Sequence, residues 1–560
     1  MQPASSSSAM SLAPPAAVRG FRRPRPETVV TAGAGGIVAL LVLPPLLAVL
    51  IAGAGANFAP FREPFVVLNT LFFGAATTLC ALAMGGALAL SIRPGIPGFS
   101  VLDRLAVMPL YLTPLLTAMG WNWLASPKSG LLNLVLHATF GPDVTINAVS
   151  PAGAILVAAL AMAPLPFLLI SDALRMLDPA MLDAARVHGG GPGMVFRRIV
   201  APLLLPAALA ASLLVCVQAI GMFSVPAVLG IPAGFRVATT EIFQLLETYP
   251  PRIADATAWG VLLLVISLAL TYAQSAVLGQ RSFVTVTGKA FRPAPRGLRA
   301  RGARAALGWA YFALSTLLPL IALFWAAIAL FVPANFRLMR FTTHHFSFVL
   351  FGYPKTWLAV GNSVLLGALT ATLVCCLGLA VSWAVLRGRT VGRGVLDHLS
   401  MAPLSMPAMV FALGLLWVYV RIPLPIYGTV LVLLIAYATH YLPFGVRATN
   451  AALRQLHPEL EEAARVAGAS WLHAMRRITL PLVQPAVLAA WVLLFVMAMQ
   501  EISASILLYT SHSIVLSVAV FDLWENGNPS DVAALGFVQL AASFVVVTLV
   551  LGMRQRRGIA

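Results

Sequence analysis

Twelve apolar runs, each about the length of a bilayer crossing, leave this chain few folds to adopt. They fall roughly at residues 29–52, 66–92, 101–124, 151–170, 199–222 and 257–279, and then at 307–332, 359–386, 397–420, 426–446, 482–508 and 532–553. A helix rises about 1.5 Å per residue, so about 20 residues cross a hydrocarbon core ~30 Å thick. Only 10% of the residues are charged and 60% are hydrophobic. No compact soluble domain has an interior large enough to hide that many apolar side chains. In hydrocarbon each backbone polar group must be bonded within its own segment, which selects helices here. The expected fold class is therefore an all-α polytopic membrane protein with about 12 transmembrane helices. Pro44, Pro45, Pro164, Pro166, Pro206 and Pro485 lie in or at the ends of the runs. They are tolerable where neighbouring helices satisfy the freed carbonyls.

The charge is lopsided, with 36 Lys+Arg against 18 Asp+Glu and a formal net charge of +18. Such an excess can mark nucleic-acid binding. Here the basic residues form short clusters between apolar runs, the pattern of topology-setting charges beside anionic lipid, and no nucleic-acid partner is expected. Placing the N-terminal tail, the even-numbered connections and the C-terminal end in the cytoplasm puts 28 of the 36 there. Both termini are accordingly expected on the cytoplasmic side. Residues 1–28 form a Ser/Ala/Pro-rich tail carrying Arg19, Arg22, Arg23 and Arg25, and residues 29–280 a first six-span unit. Residues 281–305 form a basic linker without acids, and residues 306–560 a second six-span unit. The first run, followed by Ala54-Gly55-Ala56, imitates a signal peptide but is too long for one, so an uncleaved span is expected. Cys80, Cys216, Cys375 and Cys376 all lie in apolar runs and are expected to be small buried apolar residues, not metal ligands.

The two six-span units repeat one another. Asp183-Ala184-Ala185-Arg186-Val187 corresponds to Glu462-Ala463-Ala464-Arg465-Val466, and Arg197-Arg198-Ile199 to Arg476-Arg477-Ile478, both at an offset of 279 (462 − 183). Pro179, Pro202 and Pro206 face Pro458, Pro481 and Pro485 at that same offset. Earlier, Val101-Leu102-Asp103 faces Val395-Leu396-Asp397 at 294 (395 − 101), so 15 extra residues (294 − 279) sit in the first half, fitting the outer loop at 125–150. Six spans per unit is an even number, so the repeats are parallel, related by an axis along the membrane normal.

The repeated loops carry the most information. Proline at the first helical position loses only a donor that had no partner there, and an Ala-rich stretch follows. Acid–arginine pairs at helical spacing, Asp183 with Arg186, Glu462 with Arg465 and Glu461 with Arg465, contribute only about 0.2–0.5 kcal/mol each. Such short helices need a partner surface to be rigid. Gly189 and Gly468 then end or bend them. In the second loop Glu462-Ala463-Ala464 precedes Gly468 by the spacing, and Ile478-Thr479-Leu480-Pro481 by the distance, that resemble the "EAA" loop of permease subunits of ATP-binding-cassette importers. The first loop differs by Asp183 in place of Glu and Ala201 in place of Leu, so the second is expected to dock more strongly.

This resemblance implies a type I importer permease (MetI-like) fold, with the first span of each half peripheral. It implies that Asp183, Ala184, Ala185, Gly189, Arg197 and Pro202 form one ATPase-coupling loop, and that Glu462, Ala463, Ala464, Gly468, Arg477 and Pro481 form the other. The implied partners are two ATPase subunits, an extracytoplasmic substrate-binding protein and the lipid of a bacterial inner membrane. None of the three lysines, Lys128, Lys289 and Lys355, sits in a Gly-x4-Gly-Lys-Ser/Thr phosphate loop. The chain is thus expected to bind no cofactor and catalyse nothing, with ATP–Mg held by the partner.

Intramembrane ionisable groups are functional hypotheses. Gln500, Glu501 and Ser503 at the end of the eleventh run are candidate pathway residues, and an interfacial position is the alternative for Glu501. Asp103 and Asp397 are expected to pair locally with Arg104 and His398. Trp121, Trp123, Tyr249, Trp357 and Trp524 are expected to be interfacial anchors. His344 and His345 are a weak metal candidate. The stretches Pro425-Ile426-Tyr427-Gly428, Glu501–Tyr509 and Leu523-Trp524-Glu525-Asn526-Gly527 resemble fused two-repeat permeases of ferric-iron importers. Ferric iron is therefore the expected cargo, with thiamine, a polyamine or another small solute as alternatives. An ion-coupled secondary transporter is the alternative of a different class.

Overall fold

The computed structural model describes residues 26–54, 59–141, 143–278, 301–331, 340–388, 391–421, 426 and 428–556. Among these, nine helices are long and apolar enough to span a bilayer, and twelve spans result when each of three bent pairs is counted as one. In the first half the spans are Thr28–Gly53, Pro64–Ser91, Phe99–Tyr111 with Pro114–Ala125, Pro151–Met162 with Pro164–Arg175, Pro192–Ile220 and Ile253–Ala273. In the second they are Arg301–Ile328, Thr356–Arg387, Arg393–Ser405 with Ala408–Tyr419, Val430–Arg454, Trp471–Met499 and Pro529–Val550. All twelve expected spans are present.

Three of them are bent, the fourth by only 42°. The third bends by 97° and the ninth by 106°, although runs 101–124 and 397–420 look continuous by hydropathy. The cause is proline. A residue before proline is driven out of the helical region, and Thr113 before Pro114 adopts φ −63°, ψ 137°. Met406, before Pro407, adopts φ −112°, ψ 120°. The basic linker also ends sooner than expected, because Arg301 and Arg304 already belong to the helix Arg301–Phe312. Likewise the first helix begins at Pro26, inside the expected tail. The rest of the tail and residues 279–300 lie outside the described residues.

The first span of each half, expected at the periphery, crosses to the other half. Span one packs chiefly on span nine, and span seven chiefly on spans three and twelve. Ala34, Val38, Val42 and Val49 recur at helical spacing and are buried, while Leu40, Leu47 and Ile51 face outward. Two glycines permit these crossings. A Cβ on Gly414 would stand 2.3 Å from the Pro45 carbonyl oxygen, and one on Gly120 would stand 2.8 Å from that of Pro319. Gly120 and Gly414 are 294 apart (414 − 120), so one proline-on-glycine contact is used twice and interlocks the halves.

Candidate functional site

The two repeated loops fold alike. The first helix, Pro179–Val187, is capped by Asp178, whose Oδ1 accepts the Ala180 N–H at 2.8 Å. It ends with Gly189 at φ +80° and the Gly190 N–H donating to the Ala185 carbonyl at 2.9 Å. The second, Glu459–Val466, ends with Gly468 at φ +86° and the Ala469 N–H donating to the Ala464 carbonyl at 2.9 Å. Both are the glycine-terminated cap in which a left-handed residue lets the chain turn back on the last carbonyls. Ala184, Gly189, Arg197 and Pro202 are exposed, as are Glu462, Ala463, Gly468, Arg477 and Pro481, whereas Asp183, Ala185 and Ala464 are half-buried.

Each helix also presents two apolar residues that sequence reasoning missed. Val187 is 84% exposed and Val466 89%, and Met181 and Leu460 are about half exposed. Both pairs are 279 apart (466 − 187 and 460 − 181). Apolar residues in a short amphipathic helix suggest burial in the chain's own core. The matching exposure of equivalents is visible only once the helix is seen lying on the end of the bundle. The loops differ in how they are tethered. Glu461, expected beside Arg465, accepts Thr479 Oγ1 at 2.8 Å and Trp383 Nε1 at 3.4 Å. Trp383 in turn packs edge-on against Trp471, with centroids 5.1 Å apart. The equivalents of Glu461 and Thr479 in the first loop, Leu182 and Val200 (461 − 279 and 479 − 279), make no such polar tether.

Between the halves lies a cavity of about 210 Å³ whose walls come from the bends of spans three and nine and from spans four, five, ten and eleven. The walls obey the repeat. Ala161 and Met162 face His440 and Tyr441, and Gly221, Met222 and Ser224 face Gln500, Glu501 and Ser503, all at 279. All three candidate pathway residues thus meet here, and Glu501 is half-buried in the cavity wall. Its Oε2 accepts the Tyr441 hydroxyl at 2.6 Å and its Oε1 the Ala504 N–H at 3.0 Å. The backbone carbonyl of Glu501 receives the hydroxyls of Ser517 at 2.7 Å and Tyr437 at 3.2 Å. Gln500 Nε2 crosses to the Leu110 carbonyl of the first half at 3.3 Å. His440 and Tyr441 were not foreseen. The available signal was an imidazole and a phenol side by side in the middle of an apolar run.

At the end away from Pro179–Val187 and Glu459–Val466, Phe223 meets Phe243 and Phe521 at centroid distances of 5.1 and 5.3 Å, and the latter two stand 5.8 Å apart. Phe223 directly follows Met222 of the cavity wall. All three rings are buried and join the two halves, Phe223 and Phe243 from the first and Phe521 from the second. Beyond them burial raises the Glu525 pKa above the usual carboxylate range, and Glu247 and Asp522 raise it further. Burial likewise raises Glu241, which Arg236 partly offsets from 3.0 Å.

Several expectations are corrected. Trp121 and Trp123 are not interfacial anchors but core residues, 6% and 3% exposed, and Trp123 packs against Trp524 at 6.0 Å. Tyr249 and Trp357 are exposed. Asp103 pairs with Arg175 at 3.4 Å, not with its neighbour Arg104, and His398 Nδ1 bonds the Gly394 carbonyl. His345 Nδ1 is engaged by Asp531 at 2.7 Å. Cys375 is buried but Cys376 is exposed.

Two parallel six-span units, interlocked around a shared cavity and bearing matched external helices, define the membrane-spanning permease of an ATP-binding-cassette importer. Residues 376–557 match the model of the family described as "Binding-protein-dependent transport system inner membrane component". The "Putative ferric transport system permease protein FbpB 1" of Haemophilus influenzae is 28% identical over 462 residues, 81% of this chain and 71% of that one. The "Probable ABC transporter permease protein y4fN" of Sinorhizobium fredii is 28% identical over 506 residues, 88% of this chain and 87% of that one. The "Putative 2-aminoethylphosphonate transport system permease protein PhnV" of Salmonella paratyphi A is 30% identical over 220 residues, 39% of this chain and 79% of that one. The chain belongs to the family of binding-protein-dependent transport system inner-membrane components.

Proposed function

We propose that this permease imports ferric iron handed to it by an extracytoplasmic binding protein. The observation that carries the reading is the cavity, whose wall, among the described residues, combines one carboxylate, Glu501, with no Lys or Arg. In a low-dielectric site an unpaired carboxylate attracts cations and repels anions. The phosphonate group of 2-aminoethylphosphonate, the cargo named for one relative, would be repelled there. The relatives named as ferric permeases span most of both chains, whereas the phosphonate-named match covers 39% of this one.

In this reading two ATPase subunits, which hold ATP–Mg, dock on Pro179–Val187 and Glu459–Val466. Met181, Val187, Leu460 and Val466 enter grooves on those partners, and Asp183, Glu462, Arg197 and Arg477 line the contact. Ala184, Ala185, Ala463 and Ala464 keep the helices slim, and Pro202 and Pro481 begin the return into the membrane. Nucleotide-driven closure draws the two helices together and exposes the cavity to alternate sides. Gln500, Glu501 and Ser503 line the route. The coupling helices and both termini face the cytoplasm of a bacterial inner membrane, in keeping with the basic residues, and the chain itself performs no catalysis.

Proteoliposomes holding this chain, its ATPase and a loaded binding protein test the reading. Uptake of radioactive iron should require ATP and all three components. Uptake without the ATPase, or uptake of thiamine or a polyamine but not iron, would refute it.

A further inference from the structure

The symmetry of the cavity walls makes their chemistry conspicuous. Ala161, Met162, Gly221 and Met222 line one side, and their equivalents on the other side are His440, Tyr441, Gln500 and Glu501; Gln218, opposite Met497, is the one position where the first half is the more polar. The first half shows that the fold can fill these positions with small or apolar residues. Packing therefore does not require an imidazole, a phenol, an amide and a carboxylate at the second. A polar group in a bilayer-spanning protein is also costly unless it is used.

All four groups stand in the cavity wall. Glu501 spends one acceptor site per oxygen on Tyr441 and Ala504, and an ionised carboxylate has about four such sites. His440 Nδ1 is buried without a hydrogen-bond partner, although the ring lies on the cavity wall. The single Tyr441 hydroxyl proton is shared between Glu501 Oε2 at 2.6 Å and the Met497 carbonyl at 3.1 Å, and the phenol oxygen keeps its lone pairs. Carboxylate, phenol and amide oxygens are hard donors and an imidazole is borderline, a set suited to a hard, highly charged metal ion. Among the described residues no thiol lines the cavity, and the methionines there are soft donors that such an ion does not favour.

We propose that the second half of this permease carries a one-sided transit site for a hydrated trivalent metal ion, ligated by Glu501 and Tyr441 and completed by His440 and Gln500. The assignment rests on the iron-import reading and adds where the ion pauses. On binding, the metal replaces the phenol proton of Tyr441 and the proton is released to water, so the site holds a metal phenolate and gains net positive charge. The remaining coordination positions are held by water. Such a site binds an ion well enough to admit it and loosely enough to let it go.

The full chain in lipid nanodiscs, titrated with ferric nitrilotriacetate, tests this without transport. Wild type should take up one ferric ion per chain and develop the visible tyrosinate-to-iron charge-transfer absorption. Y441F should abolish that absorption, and E501Q should weaken binding at least tenfold. Met222→Glu, which places a carboxylate at the equivalent position of the first half, should tighten binding several-fold. That gain distinguishes loss of ligands from loss of fold. Absence of iron binding by wild type, with iron uptake intact in proteoliposomes, overturns the transit site and leaves the cargo reading standing. Unchanged absorption in Y441F overturns it equally. Failure of iron uptake, with another cargo transported, overturns the cargo reading and the site with it.

Discussion

Gly468 offers the sharpest test of how force enters this permease. It closes the helix Glu459–Val466 at φ +86°, and a Cβ built there meets no atom of the described residues within 4 Å. Any effect of Gly468→Ala must therefore come from the backbone or from the docked partner, not from a clash within the permease. An L-residue with a Cβ costs roughly 1–2 kcal/mol in the left-handed region. With about 1.4 kcal/mol per factor of ten, the docking-competent loop should become about 5- to 30-fold less populated. The assay is ATP hydrolysis stimulated by loaded binding protein in proteoliposomes, titrated against the ATPase subunit. Gly468→Ala should raise the ATPase concentration needed by that factor. Gly468→Asn should recover part of the loss, because asparagine visits the left-handed region more readily. Gly468→Arg should abolish transport, since it adds bulk at the partner surface. Wild-type behaviour of the alanine variant would refute the argument, and an asparagine variant as defective as the arginine one would move the cause from backbone to bulk. Gly189, at φ +80°, carries the same intrinsic strain when substituted. Its variants should nonetheless cost less transport, because the first loop lacks the Glu461 tether. An equal or larger loss there would reject the ranking of the two loops.

Three further outcomes are expected. Gly414→Val would drive a side chain into the Pro45 carbonyl, which a Cβ already approaches to 2.3 Å; the detergent-solubilised protein should melt at lower temperature and span one should become accessible to protease, and an unchanged melting point would contradict the interlock. Phe223→Ala removes a ring shared with Phe243 and Phe521, a class of change that typically costs about 3–5 kcal/mol; ATP hydrolysis without binding protein should rise, and a tightly coupled variant would show that this joint between the halves does not restrain hydrolysis. Because burial, with Glu247 and Asp522, raises the Glu525 pKa in the folded chain, the folded state binds more protons than the unfolded one, and this contribution to stability falls as pH rises from the unfolded carboxylate pKa through the raised folded one. Glu525→Gln should flatten the melting temperature across that window, and an identical slope in both proteins would remove Glu525 as its source.

How far the sequence foretells this molecule depends on which physical signal each feature leaves. Bilayer crossings demand about 20 apolar residues, so span count was legible, as was the parallel repeat, because equivalent loops keep their residues at fixed offsets. The right-angle bends at Pro114 and Pro407 were not, since hydropathy sums composition and ignores the backbone restriction that proline places on its neighbour. The crossing of span one to span nine was also hidden. Its signal is a glycine, Gly414, facing a proline, Pro45, hundreds of residues away, and neither is unusual alone. The candidate pathway was half legible. Glu501 stood out as a charge at a span end, whereas His440 and Tyr441 are neutral and sat within a helix whose periodicity already accounted for them. Trp121 and Trp123 were misplaced because indole suits both an interface and a core.

The symmetric and asymmetric parts of the molecule answer to different partners. The helices Pro179–Val187 and Glu459–Val466 repeat one another in terminal glycine and exposed apolar pair, which suits the proposed docking of two like ATPases. At four cavity positions the second half is polar where the first is not, while Gln218 reverses this against Met497; the lone carboxylate is the difference that electrostatics explains. A carboxylate at both 222 and 501 would place two like charges in about 210 Å³, where one of them is driven to hold a proton when no cation is present. With a trivalent ion bound, the second carboxylate would instead be a ligand, and each added anionic ligand deepens the well from which the ion must escape. A conducting site has to be shallow enough to empty within a turnover. Met222→Glu should therefore hold iron more tightly while importing it more slowly, with the rate falling as affinity rises. A variant that gained both affinity and rate would mean that release from this cavity does not limit transport, and that the one-sidedness of its wall serves something other than escape.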